Sequence, residues 1–73
     1  MTARPQSVDY KRLGERVRAH RLAGGMSVQD VTQATGVARS VLFRVEAGKS
    51  CRTSSMLKLA RWVGIDPDKL LIK

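Results

Sequence analysis

Apolar residues recur along this chain at spacings of three and four, in runs too short for any long helix. Tyr10, Leu13 and Val17 form the first stripe, with Arg12, Arg16 and Arg18 turned away from it, which predicts a helix from about Tyr10 to Ala23. Asp9 stands at its N-cap, and Gly24-Gly25 supplies the left-handed residues that end helices. "SVQD", residues 27–30, is a Ser-x-x-acid capping box that opens a second helix, Val28 to Thr35, broken by Gly36. A third helix follows over residues 38–47 and stops at Gly48; Leu42 and Val45, with Val37, supply its core side. Met56, Leu59, Ala60 and Val63 make the stripe of a fourth, capped at Thr53 or a neighbouring serine and closed by Gly64. "DPDKLL" opens a last short helix, with Asp66 at the cap and Pro67 at the first helical position. No stretch alternates with period two for long enough to predict a strand. The pattern therefore gives an all-α chain, a compact bundle of four to five short helices over residues 9–73, preceded by a flexible arm, "MTARPQSV", over residues 1–8.

Length and composition narrow the chemistry. Seventy-three residues make one small domain, and a chain of this size buries only about 60% of its unfolded surface. With one cysteine, Cys51, and one histidine, His20, neither an internal disulfide nor a protein metal site can be assembled, so no metal and no cofactor are expected. No apolar run approaches the length of a membrane span, and "MTARPQSVDYKRLG" lacks the apolar middle of a signal peptide; a cytoplasmic chain is the expectation. Fourteen Lys and Arg against six Asp and Glu give a net charge of +8, which points to a polyanionic partner such as DNA, RNA or an acidic surface. His20, Ser40 and Asp30 are not spaced as a nucleophilic triad, so no enzyme is expected, and His20 reads as a helix-surface residue. RNA reading is disfavoured because the basic positions lack interleaved aromatic residues for stacking.

The ordered set "LGERVR", Met26-Ser27, Gly36-Val37, "RVEAGKS" and "LKLARWVGI" resembles the helix-turn-helix domain of phage repressors, Cro proteins and their bacterial relatives. The likeness spans residues 13–71. It implies a lambda-repressor-like helix-turn-helix fold that binds double-stranded DNA, usually as a homodimer on an inverted repeat, with helix 38–47 entering the major groove. The family's base-contacting positions fall on Arg39, Ser40 and Arg44, with Ala38, Val41 and Phe43 close by. Backbone contacts fall on Ser27 and Val28 at the start of helix two, and on Lys49, Ser50 and Arg52 after helix three. The resemblance pairs Arg21 with Glu46 as a structural link, and places dimer contacts at the C-terminal end, here Trp62, Ile65 and Leu71. A transcriptional regulator acting by occupancy is what it implies, foremost a repressor of the Cro or phage-repressor type, which either covers a promoter or contacts polymerase from beside it; lone domains of this kind also include restriction–modification controllers and antitoxins.

The residue types suit these roles. An arginine fork donates two hydrogen bonds to guanine O6 and N7, so Arg39 and Arg44 fit base reading, while Lys49 and Arg52 fit salt-dependent phosphate contact. Arg21 and Glu46 fit a scaffold pair, with Glu46 also able to aim the guanidinium at a phosphate. Five positions depart from the family pattern. Val28 replaces a common glutamine, Ala38 leaves helix three without a side-chain cap, Thr32 replaces a small alanine, and Val41 and Phe43 replace polar residues. Phe43 can touch thymine methyls, or pack on helix two or on a protein, and Trp62 can serve a dimer contact or the core. A second reading follows from the apolar helix three: a protein-interaction module such as an antitoxin, with a toxin, polymerase or second regulator as partner. Cys51 reads as an incidental loop thiol, although Lys49 and Arg52 beside it could lower its pKa.

Overall fold

The computed structural model describes residues 7–72, and within them four α-helices surround a single apolar core. Helix α1 spans Tyr10–Ala23, α2 Val28–Thr35, α3 Arg39–Glu46 and α4 Thr53–Val63. One turn of 3-10 helix, Pro67–Leu70, completes the helical part. Each start has a local cause. The Asp9 carboxylate accepts from the Arg12 amide at 3.0 Å. Ser27 and Asp30 cap each other's backbone at 3.1 and 2.9 Å, the reciprocal box that "SVQD" encodes. Gly36 and Gly64 end α2 and α4 in the left-handed conformation, at φ 75° and 77°.

Leu13 and Val17 of α1, Val31 of α2, Leu42 and Val45 of α3 and Leu59 of α4 are fully enclosed, with Leu70 of the 3-10 turn closing the base. The strongest packing is α1 against α3, and it depends on a glycine. A Cβ at Gly14 would run directly into the carbonyl oxygen of Val45 and lie 3.0 Å from its carbonyl carbon, so the two backbones touch where only glycine fits.

Three features depart from the sequence pattern. Ser7–Val8 and Leu71–Ile72 form short antiparallel strands, β1 and β2, in the register Ser7↔Ile72 and Val8↔Leu71, where no strand is expected. Two residues are too few to show a period of two, and the pairing joins opposite ends of the chain, clamped by the Asp9 amide donating to the Leu70 carbonyl at 2.6 Å. Ser7 and Val8, expected in the flexible arm, are thus paired; residues 1–6 of that arm lie outside the described residues. The fourth helix starts without a side-chain cap: Arg52 takes the cap position in extended conformation and Thr53 is already the first helical residue. The final helix is a 3-10 turn that gives way to β2 at Leu71. Among the described residues no helix is long and apolar enough to cross a membrane.

Candidate nucleic-acid interface

Helix α3 divides cleanly into two faces. Leu42 and Val45 are fully buried, with Val37 just before the helix and half-buried Val41 beside them. Arg39, Ser40, Phe43 and Arg44 are exposed. At about 100° per residue these four fall within an arc of about 140°, centred nearly opposite the buried pair. Ala38 at the N-cap has extended backbone and no capping hydrogen bond, so the first amides of α3 carry no side-chain partner.

The two arginines are held differently. Arg39 has no hydrogen-bond or ion-pair partner among the described residues, and its guanidinium is available to a ligand. The Arg44 Nε donates to the Ser50 carbonyl at 3.1 Å, which turns that side chain toward the loop after α3. Phe43 is 54% exposed and is not among the apolar residues packed against the core. Val41, by contrast, packs against the core, so only one of the two expected surplus apolar residues of this helix stands free.

The loop from Gly48 to Arg52 is anchored from two sides. While Arg44 holds the Ser50 carbonyl, the Tyr10 hydroxyl of α1 donates to the Cys51 carbonyl at 2.9 Å. In a trans peptide the following N–H points opposite to the carbonyl, so the amides of Cys51 and Arg52 are directed away from these two anchors. Lys49, Ser50 and Arg52 are exposed on this loop. Cys51 is half-buried, and burial pushes its thiol above the usual range, with the Arg44 charge and the Tyr10 hydrogen bond offsetting part of the rise. Activation of this thiol by Lys49 and Arg52 is not what the environment produces, because desolvation outweighs the nearby charge. Burial likewise raises the Tyr10 phenol, first by desolvation and then by the neighbouring Cys51.

At the start of α2 the groups expected to meet a phosphate are engaged within the chain. The Ser27 hydroxyl faces the Asp30 amide, the Asp30 carboxylate takes the Ser27 amide, and Val28 is half-buried against the core. An anion arriving here would meet the Asp30 carboxylate in the first turn.

Arg21 and Glu46 form a two-pronged ion pair, Nε to Oε2 at 2.9 Å and Nη2 to Oε1 at 3.0 Å. Arg21 Nη1 also donates to the Met26 carbonyl at 3.4 Å. The pair thus joins the end of α1, the start of α2 and the end of α3, and the Glu46 hydrogen bonds raise the Arg21 pKa above its ordinary value. Among the C-terminal residues, Trp62 is half-buried and meets the exposed His20 ring edge-on, with centroids 4.5 Å apart and planes at 79°. Ile65 is 9% exposed and belongs to the chain's own core, which leaves Trp62 and half-buried Leu71 as the outward members of that set.

Sequence reasoning passed over Gly14, Lys11 and the Tyr10–Cys51 link. Gly14 carried a signal, since an unforced glycine inside a helix costs about 1 kcal/mol. The other two had none, because their partners lie far along the chain. Compared with known families, the chain matches the model of a helix-turn-helix domain over residues 12–71. A comparison with curated proteins finds no match.

Proposed function

The chain belongs to the helix-turn-helix domain family, a DNA-binding fold, and from that premise we propose that it is a sequence-specific transcriptional repressor. It binds an inverted-repeat operator as a homodimer, with α3 of each copy in successive major grooves about 34 Å apart. The observation that carries this reading is the outward face of α3, where an unpartnered Arg39 stands with Ser40 and Phe43 opposite a fully buried Leu42 and Val45. Arg39 reads guanine by its two-pronged fork, Phe43 covers a thymine methyl, and Ser40 and Ala38 approach the same base edges. Arg44, tied to the Ser50 carbonyl, serves the boundary between bases and backbone. Lys49, Ser50 and Arg52 hold phosphates and supply the salt-dependent part of affinity. Trp62 and Leu71 contribute to the dimer contact, with Ile65 supporting them from the core. Repression follows from occupancy of a promoter.

Selection of bound duplexes from a random-site pool at two salt concentrations tests this. An inverted repeat should emerge, with Arg39→Ala losing about 1–3 kcal/mol per half-site and relaxing preference at one base position in each. Binding that shows no base preference and disappears with salt would refute it. The exposed Phe43 favours one second reading, a protein-interaction module in which α3 docks a protein partner. That reading expects Phe43→Ala to abolish partner binding while leaving the weak affinity for DNA unchanged.

A further inference from the structure

The basic loop after α3 does not stand alone. Lys11, in the first turn of α1, lies against its beginning: the Lys11 Cα and Cβ are 3.7 and 3.8 Å from where a Gly48 side chain would start. Gly48 adopts φ 80°, a left-handed turn that favours glycine, and this turn sets the start of the loop at van der Waals distance from α1. One residue earlier, the Tyr10 hydroxyl holds the Cys51 carbonyl, so loop and first turn are joined at two points. Lys11 is exposed and makes no ion pair among the described residues, and its helix neighbour Glu15, one turn on, is exposed without pairing to it.

We propose that Lys11 is a further DNA-backbone contact, forming with Lys49 and Arg52 a three-cation edge that runs from the loop onto the first turn of α1. This rests on the DNA-binding reading above. The edge tracks one strand: the loop places two cations, and α1, docked against Gly48, places the third beside them at no cost in ordering the loop. Such a contact adds affinity without base choice, because a phosphate is the same at every step.

The test is a salt titration of duplex binding, on the selected operator and on an unrelated duplex, with the native chain, Lys11→Ala, Lys11→Arg and Arg16→Ala. Arg16 is also exposed on α1 but lies about 140° around the helix from Lys11, so it reports the effect of net charge alone. Lys11→Ala removes one contact from each copy of the dimer, so it should lower the slope of log K against log salt by about 1.8, which amounts to about 60-fold weaker binding at about 0.1 M salt. The loss should be equal on both duplexes, Lys11→Arg should restore the native slope, and Arg16→Ala should keep it. A native slope for Lys11→Ala, or an equal loss for Arg16→Ala, overturns the proposal while leaving the DNA-binding reading intact. Absence of duplex binding by the native chain itself overturns both.

Discussion

Replacing Gly14 by alanine tests the packing on which the whole interface rests. Helix propensity alone favours the change, because alanine inside a helix is better than glycine by about 1 kcal/mol. The structure predicts the opposite outcome. The new Cβ would overlap the Val45 carbonyl oxygen and stand 3.0 Å from the Val45 carbonyl carbon and 3.3 Å from the Glu46 Cα. All three are backbone atoms, so no rotamer change relieves the contact, and α1 and α3 must part by on the order of 1 Å, a gap that forfeits a quarter to a half of the dispersion energy across a seam. Overpacking of this kind costs about 1–3 kcal/mol, and the seam includes fully buried Leu13, Val17 and Val45. Because the overlap is with backbone atoms the upper end of that range applies, and about 3 kcal/mol less the propensity gain of about 1 kcal/mol leaves a net loss of about 2 kcal/mol, equivalent to a fall in Tm of about 8–16 °C for a domain of this size. Thermal unfolding followed by circular dichroism measures it. Ala19→Gly, at an exposed position of the same helix, should lose only about 1 kcal/mol. A Gly14→Ala chain that melts at or above the native temperature would refute the reasoning.

Three further outcomes follow from the geometry. Ala38→Ser should give α3 the cap it lacks and raise stability by about 1 kcal/mol, read as a higher melting temperature; an unchanged melt would mean that the α3 start is satisfied in another way. Glu46→Ala should cost about 2 kcal/mol, between the values for exposed and buried pairs, because both side chains are mostly covered at 16% and 12% exposure and Arg21 would lose its partner; removing Arg21 as well should cost less than the sum of the two single changes in a double-mutant cycle. The single tyrosine offers a pH test: its folded pKa lies above the ordinary 10.0, so the stability it contributes is complete below about pH 10 and is lost as pH climbs through the raised value. Tyr10→Phe should flatten that alkaline loss, and a native chain whose phenol titrates at the ordinary value would sink the argument.

Local chemistry determined most of the secondary structure without help. The "SVQD" box, Gly36, Gly64 and the apolar stripes act within a few residues, so the bounds of α1 and α2 and the separation of Leu42 and Val45 from the outward face of α3 were legible in the residues alone. The order of the same signals was enough to resemble the helix-turn-helix pattern that the family comparison shows. The placing of Arg39 and Ser40 away from Leu42 and Val45 follows from helical periodicity in the same way.

What depends on residues distant in the chain was decided by tertiary structure. Periodicity places Val41 near the boundary of α3, but only the neighbouring helices determine that it is covered while Phe43 is not. Along the sequence Cys51 is an incidental loop thiol that Lys49 and Arg52 could activate, and the fold decides against activation by burying it and raising its pKa. Pairing of β1 with β2 needs both ends of the chain in place, and a two-residue strand has no pattern to announce it. Lys11 is an ordinary surface lysine until α1 packs beside Gly48. Local preferences act through a few bonds and can be read in order, but burial and proximity depend on how whole helices meet, and those meetings set which cations share an edge.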